Sequence, residues 1–243
     1  MTSKIAFITG ASRGIGAAVA DQLAGAGYHL VINARDPESL ERRAVQLREQ
    51  YHIRCLAFPG DVGDADFIKK TFSETEEQLG PMDVLVNNAG ISHIGLLTEL
   101  EIEEWDRLIR TNLTSVFLCS KYAAGQMLKK KSGKIINISS VWGSTGASCE
   151  AAYSAAKGGV NALTRALGKE LAPSNIQVNA IACGVIDTDM NRCFDQAERE
   201  ALMQEIPAGR FGTPEEIGRL ALSLAEAPAY LTGQVITVDG GWL

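Results

Sequence analysis

The chain has 243 residues, 46% hydrophobic and 21% charged, which is the balance of an ordinary soluble globular protein. Its formal net charge of −6 repels phosphate backbones and anionic lipids, so neither nucleic acid nor a membrane is expected as a partner. The five cysteines include no CxxC pair, which favours reduced thiols in a cytoplasmic protein over a disulfide framework or a metal site.

The polar segment Met1–Lys4 opens the sequence and runs directly into an apolar stretch. It lacks the basic segment and long apolar run of a secretory signal peptide, so we expect a cytoplasmic location. Short apolar runs then alternate with longer segments of helical period. Seven runs predict strands: Ile5–Thr9, His29–Asn33, Ile53–Phe58, Asp83–Asn87, Lys134–Ser139, Ile176–Ile181 and Gln234–Val238.

Amphipathic helices are predicted between most of these strands, over Gly14–Ala26, Pro37–Gln50, Asp64–Leu79 and Ala152–Leu171. Continuous apolar strands separated by helices predict an α/β fold. We expect a single-domain Rossmann-type doubly wound seven-stranded parallel sheet over residues 1–243, with helices on both faces. A polar insertion at about 188–214 interrupts the alternation, has a short helical stretch near Glu198–Gln204, and is expected to be lid-like.

A glycine-rich segment, TGASRGIG, follows the first predicted strand and opens the first helix. Glycines at such a turn allow the backbone to approach a pyrophosphate, and a helix N-terminus favours anions. The alternative is a glycine-rich turn without a ligand. The predicted nucleotide-binding residues here are Gly10, Ser12, Arg13, Gly14, Ile15 and Gly16.

The end of the second predicted strand selects the cofactor. Proteins that prefer NAD commonly place a carboxylate there to bind the ribose hydroxyls. Arg35 follows this strand, and both Arg35 and Arg13 can form charge-assisted contacts with a 2′-phosphate, which predicts NADP(H). In the alternative, Arg35 is solvated and Asp36 binds the ribose of NAD.

Tyr153 and Lys157 are four residues apart at the start of a predicted helix, which places them on one face. An adjacent ammonium and a positively charged nicotinamide are expected to lower the pKa of a tyrosine. Tyr153 would then protonate a substrate oxygen during reduction, and Ser140 would donate a hydrogen bond to it. The alternative is that Tyr153 and Lys157 form an ordinary exposed pair on a helix, and that Ser140 is an ordinary serine at the end of a strand.

These motifs together resemble the short-chain dehydrogenase/reductase family, over essentially the whole chain. The motifs are the glycine segment, Asp61–Val62, Asn87–Gly90, Asn112, Ser140, Tyr153 with Lys157, and Asp239–Trp242. The resemblance implies an NADP-dependent oxidoreductase that reduces a ketone to an alcohol. It also implies a catalytic tetrad of Asn112, Ser140, Tyr153 and Lys157, and a homotetramer.

The same resemblance implies further cofactor contacts. Asp61 and Val62 should flank the adenine. The residues expected along the ribose, phosphates and nicotinamide are Asn88, Ala89, Gly90, Tyr153, Lys157, Gly184, Ile186 and Thr188. One departure is Cys183, which replaces the proline usual in the family and leaves the local backbone less constrained.

The segment Val141–Glu150 lies between Ser140 and Tyr153, and so it must border the substrate. The whole chain resembles 3-oxoacyl-acyl-carrier-protein reductases, whereas this segment is similar to that of elongation factor P 5-aminopentanone reductases. A fatty acyl chain needs an apolar channel, whereas a ketone ending in an ammonium needs a carboxylate such as Glu150 and an aromatic face such as Trp142.

Each of these substrate residues has a simpler explanation. Glu150 can be a first-turn acid that favours its helix, and His93, the third candidate, can be a hydrogen-bonded loop residue. Lys129–Lys131 could dock an acidic carrier protein or form a solvated helix end.

The expected partner is a ketone carried on acyl carrier protein or on elongation factor P. A different class, a non-catalytic NADP(H)-sensing module, usually lacks the tyrosine or the lysine, and both are present here.

Overall fold

A computed structural model of the chain describes residues 4–191 and 194–243. Cys193 and most of the Met1–Lys4 segment therefore lie outside the described residues. The strands are β1 (Ile5–Ile8), β2 (His29–Ala34), β3 (Cys55–Pro59), β4 (Val84–Asn87), β5 (Gly133–Ser140), β6 (Ile176–Cys183) and β7 (Val235–Val238).

In the described ranges, one α-helix follows each of β1, β2 and β3, and two α-helices follow each of β4, β5 and β6. They are α1 (Gly14–Gly25), α2 (Pro37–Tyr51), α3 (Ala65–Gln78), α4 (Ile102–Ile109), α5 (Ser115–Lys130), α6 (Trp142–Thr145), α7 (Ala151–Leu171), α8 (Gln196–Glu205) and α9 (Pro214–Glu226).

The sheet has the order β3-β2-β1-β4-β5-β6-β7, and neighbouring strands pair in parallel. The predicted doubly wound seven-stranded sheet is confirmed. Strand bounds differ from the prediction by one or two residues. For example, β3 begins at Cys55 because α2 ends at Tyr51 and His52 takes a left-handed conformation with φ of 54°.

Alternating side chains of each strand enter two separate cores. In β1, Ala6 and Ile8 pack with α1, α2 and α9 on one face, whereas Ile5 and Phe7 pack with α3, α5 and α7 on the other. Because helices cover both faces of the sheet, side chains on both sides of each strand are buried, which explains the continuous apolar sequences of the strands.

The strand order reverses between β1 and β4, because β2 and β3 lie on one side of β1 and the later strands lie on the other. A crevice opens beyond the carboxyl ends of the strands at such a switch point. The loops after β1, β4, β5 and β6 meet there, and they carry most of the predicted site residues.

No helix in residues 4–191 and 194–243 combines the length and apolar character that a membrane span requires.

Candidate active site

The turn after β1 is shaped by two glycines for which larger residues do not fit. Gly10 has φ of 66°, and a Cβ there would lie 2.9 Å from the Cα of Ala89. A Cβ on Gly16 would overlap the carbonyl oxygen of Gly10. The Asn88 side chain donates to the carbonyls of Thr9 and Gly10, at 2.9 and 3.0 Å, and so joins this turn to the end of β4.

The N-terminus of α1 is open to an anion. Arg13 is its N-cap residue, with extended backbone, and no side chain caps the helix. The first turn also contains no acidic residue. The first N–H groups of an uncapped helix need a partner, and a phosphate satisfies them. The glycine turn and this helix end therefore fit the pyrophosphate of a dinucleotide.

Arg35 and Asp36 follow β2, where the adenosine part of the cofactor is expected. Their side chains differ in the contacts that they make. Arg35 is exposed and forms no hydrogen bond or ion pair with the described part of the chain. Asp36 accepts a hydrogen bond from the Ser39 amide at 2.9 Å and caps α2, and hydrogen bonding with Ser39 lowers the pKa of its carboxyl. The carboxylate that would bind an NAD ribose is thus already engaged, whereas the guanidinium is available.

The residues predicted to flank the adenine lie at the end of β3. Asp61 is exposed, and its carboxylate accepts a hydrogen bond from the Gly63 amide at 2.8 Å. Val62 is buried. Neither residue lines the central cavity, so their predicted role remains a proposal.

Tyr153, Lys157 and Ser140 meet in one cavity of about 600 Å³, which also includes the glycine turn. The Nζ atom of Lys157 lies 5.6 Å from the centre of the Tyr153 ring and donates to the Ile138 carbonyl at 2.8 Å. The Ser140 hydroxyl accepts from the Trp142 amide at 3.2 Å, which leaves its own hydrogen free to donate.

The electrostatics of this cavity bear on the expected acidity of Tyr153. Burial raises the pKa of Tyr153 above its usual value, Cys183 and Glu150 add to the rise, and hydrogen bonding with Ser140 opposes it. Lys157 by itself therefore does not bring the pKa of Tyr153 below its usual value, and the lowering expected from a bound nicotinamide stays a prediction. Tyr153 lines the cavity.

Lys157 is only 5% exposed, and burial lowers its pKa to about 8, with Cys183 acting in the opposite direction. Its ammonium form is thus disfavoured relative to a solvated lysine. The Cys183 thiol lines the same cavity, and burial raises its pKa to about 12, so it stays protonated at neutral pH.

Asn112 is fully buried in a π-helical turn, Arg110–Thr114, between α4 and α5. Its side chain accepts from the Ile91 amide at 2.8 Å and donates to the Ile91 carbonyl at 2.7 Å. It does not line the cavity. Asn112 instead supports the segment after β4, and a Cβ on Gly90 would lie 3.3 Å from its Oδ1 atom.

Two of the three predicted substrate residues lie in the cavity wall. Glu150 occupies the N-cap position of α7 without capping it, and the Trp142 indole hydrogen-bonds to its carboxylate. Burial raises the pKa of Glu150, and this hydrogen bond opposes the rise. His93 does not line the cavity, and its Nδ1 atom lies 3.5 Å from the Glu104 carboxylate.

The cavity contains many of the predicted cofactor residues. These are Arg13, Gly14, Ile15, Asn88, Ala89, Gly90, Tyr153, Lys157, Gly184, Ile186 and Thr188. The remaining predicted cofactor residues do not line it: Gly10, Ser12, Gly16, Arg35, Asp61 and Val62.

Several residues of the cavity wall are not among the site residues predicted from the sequence. Trp242 packs edge-to-face on Trp142, with ring centres 5.0 Å apart, and α8 contributes Leu202 and Glu205. The Asp239–Trp242 motif was a signal for Trp242. The side of α8 that faces the cavity has no such signal, because only the folded chain shows which face turns inward.

A family model described as short chain dehydrogenase matches residues 4–199. The chain is 42% identical over 240 residues to the 3-oxoacyl-[acyl-carrier-protein] reductase FabG of Staphylococcus aureus strain Mu50, covering 98% of both proteins. It is 37% identical over 242 residues to the protein of that name from Aquifex aeolicus strain VF5, covering 99% of this chain and 98% of the relative.

Among solved structures, the chain is similar to YwfH, an NADPH dependent reductase involved in bacilysin biosynthesis. The two superpose with a TM-score of 0.94 at 29% identity, and the match covers 99% of this chain and 98% of YwfH.

Proposed function

The chain belongs to the short chain dehydrogenase family, whose members are oxidoreductases that bind a nicotinamide cofactor, and we propose that it is an NADPH-dependent ketone reductase of the 3-oxoacyl-[acyl-carrier-protein] reductase type. The observation that carries this proposal is the meeting of Tyr153, Lys157 and Ser140 in the cavity that includes the glycine turn. A non-catalytic sensor would not need these three groups together.

A bound nicotinamide would supply hydride to the carbonyl carbon. Ser140 donates a hydrogen bond to the carbonyl oxygen and orients it. Tyr153 transfers its phenolic proton to that oxygen, which gives the secondary alcohol and a phenolate. The nearby Lys157 ammonium stabilises this phenolate, which then takes a proton from solvent. Asn112 supports the segment after β4 that lies beside Lys157.

The raised pKa of Tyr153 suits this direction of the reaction. A proton donor has to be protonated when the substrate binds, and a phenol with a raised pKa meets this condition at neutral pH. Alcohol oxidation would need the phenolate instead. The raised pKa is therefore consistent with Tyr153 acting as the proton donor in ketone reduction.

The proposed preference for NADPH rests on Arg35, which is exposed and unpaired within the described ranges, and on Arg13 in the glycine turn. We expect Arg35→Ala to raise the KM for NADPH by about 10- to 100-fold, the effect of losing a charge-assisted hydrogen bond. The KM for NADH should not change. Steady-state kinetics with both cofactors measure this.

Arg165→Ala is the matched control, because Arg165 is an exposed arginine on α7 that does not line the cavity. An unchanged NADPH preference in Arg35→Ala would remove Arg35 from the cofactor site.

A second candidate substrate is a ketone that carries an ammonium, such as the 5-aminopentanone group on elongation factor P. The Glu150 carboxylate, held by the Trp142 indole in the cavity wall, favours it. Docking of an acidic carrier protein has less support at Lys129–Lys131, since Lys129 pairs with Glu76 at 3.3 Å and Lys130 pairs with Asp83.

Turnover of acetoacetyl thioesters and of the amino ketone decides between the two substrates. If the amino ketone is the substrate, Glu150→Gln should lower its kcat/KM by about tenfold or more, because a charge-assisted contact is lost. The same variant should keep wild-type activity on the thioester, which serves as the internal control. Intact amino-ketone turnover in Glu150→Gln would exclude Glu150 from recognition.

The segment at about 188–214 is proposed to act as a lid within a single domain that spans residues 1–243. Four residues at the cavity face of α8 support this role: Glu198, Ala201, Leu202 and Glu205. A cytoplasmic location and a homotetramer complete the proposal, and both come from the sequence and the family resemblance.

A further inference from the structure

An ion pair between described residues connects the glycine turn to the segment after β6. Arg13 Nη1 donates to the Asp189 carboxylate at 3.1 Å, although the two residues are 176 positions apart in the sequence. Gly14 also lies close to the Thr188 side chain, since a Cβ on Gly14 would be 3.5 Å from Thr188 Cγ2.

Arg13 is also one of the residues predicted to bind the cofactor. It lines the cavity and is the N-cap residue of the uncapped α1 helix, next to the backbone groups that fit a pyrophosphate. Nη1 of its guanidinium contacts Asp189, and this contact holds the group toward the carboxylate and opposes its reorientation toward a phosphate, which binds most strongly through two parallel N–H donors.

We propose that Asp189 competes with the 2′-phosphate of NADPH for Arg13, and so lowers the affinity and selectivity of the enzyme for NADPH. This inference rests on the proposed NADPH-dependent function. When Arg13 turns to the 2′-phosphate, its bond to Asp189 breaks.

The solvent exposure of the Arg13–Asp189 pair limits the expected change in NADPH affinity. The Arg13 side chain is 75% exposed and that of Asp189 is 27% exposed. Exposed ion pairs contribute little, so removing the competing carboxylate should tighten NADPH binding by about two- to fivefold. NADH lacks the 2′-phosphate, and its affinity should stay unchanged.

The test measures Kd for NADPH and NADH by isothermal titration calorimetry, without turnover. Asp189→Asn should lower the Kd for NADPH by about two- to fivefold and leave that for NADH unchanged. Asp187→Asn is the matched control. Asp187 is two residues away, pairs with Arg199 at 2.8 Å, and its loss removes the same charge.

A double-mutant cycle with Arg13→Ala separates competition from a general charge effect. In the Arg13→Ala background, Asp189→Asn should no longer change the Kd for NADPH. The proposal is overturned if Asp189→Asn tightens NADPH equally in both backgrounds, or has no effect while Arg13→Ala weakens NADPH. If the wild type binds NADH as tightly as NADPH and Arg13→Ala changes neither, the NADPH-dependent function fails too.

Discussion

Tyr153→Phe is expected to lower kcat for ketone reduction by about 10²- to 10⁴-fold, the usual contribution of a positioned general acid. The variant loses only the hydroxyl that would protonate the substrate oxygen. The ring, its position beside Lys157 and the glycine turn remain, so the thermal unfolding midpoint should match that of the wild type.

Tyr122→Phe is the matched control for this variant. Tyr122 lies on α5, packs against Phe72 at a ring-centre distance of 5.9 Å, and does not line the cavity. Its kcat should equal that of the wild type. NADPH consumption with a saturating ketone measures both variants. A kcat for Tyr153→Phe within tenfold of the wild type would contradict the proposed proton donor.

Lys157→Met is expected to lower kcat by about a hundred-fold. The phenolate formed at Tyr153 would lose a cation at 5.6 Å from its ring centre. Unit charges at such a separation interact by about 3 kcal/mol at an effective dielectric constant of ~20. Methionine keeps the length and apolar stem of the side chain but supplies neither the charge nor the bond to the Ile138 carbonyl.

The pH dependence of this effect distinguishes charge from packing. Because burial lowers the pKa of Lys157 to about 8, its cation is present below that pH and is lost as the pH rises through it. The wild-type kcat should therefore fall above about pH 8, while Tyr153, with its raised pKa, remains protonated. In Lys157→Met the fall should be absent. A wild-type profile that stays flat through pH 9.5, about 1.5 units above that pKa, would show that the cation is not needed.

Several features could be predicted from the sequence because their causes are local. Apolar runs of strand length between amphipathic segments specify a doubly wound sheet, and residues four apart on a helix share a face. Gly10 and Gly16 lie where a side chain has no room, and they are recognisable by their spacing. The fold and the family are confirmed, whereas the roles assigned to individual site residues stay predictions.

The tertiary structure alone decided features that depend on distant parts of the chain. The pKa of Tyr153 depends on everything packed around the side chain, and the burial that raises it is not visible in the two-residue pattern with Lys157. Asp36, a candidate for binding NAD, proved to cap α2, and Trp242 came to lie on Trp142 from the far end of the chain. The Arg13–Asp189 pair joins residues with no relation in sequence. Sequence patterns predict local geometry. The solvation and the electrostatic environment of a side chain in a cavity depend on residues that are distant in sequence and become neighbours only in the folded chain.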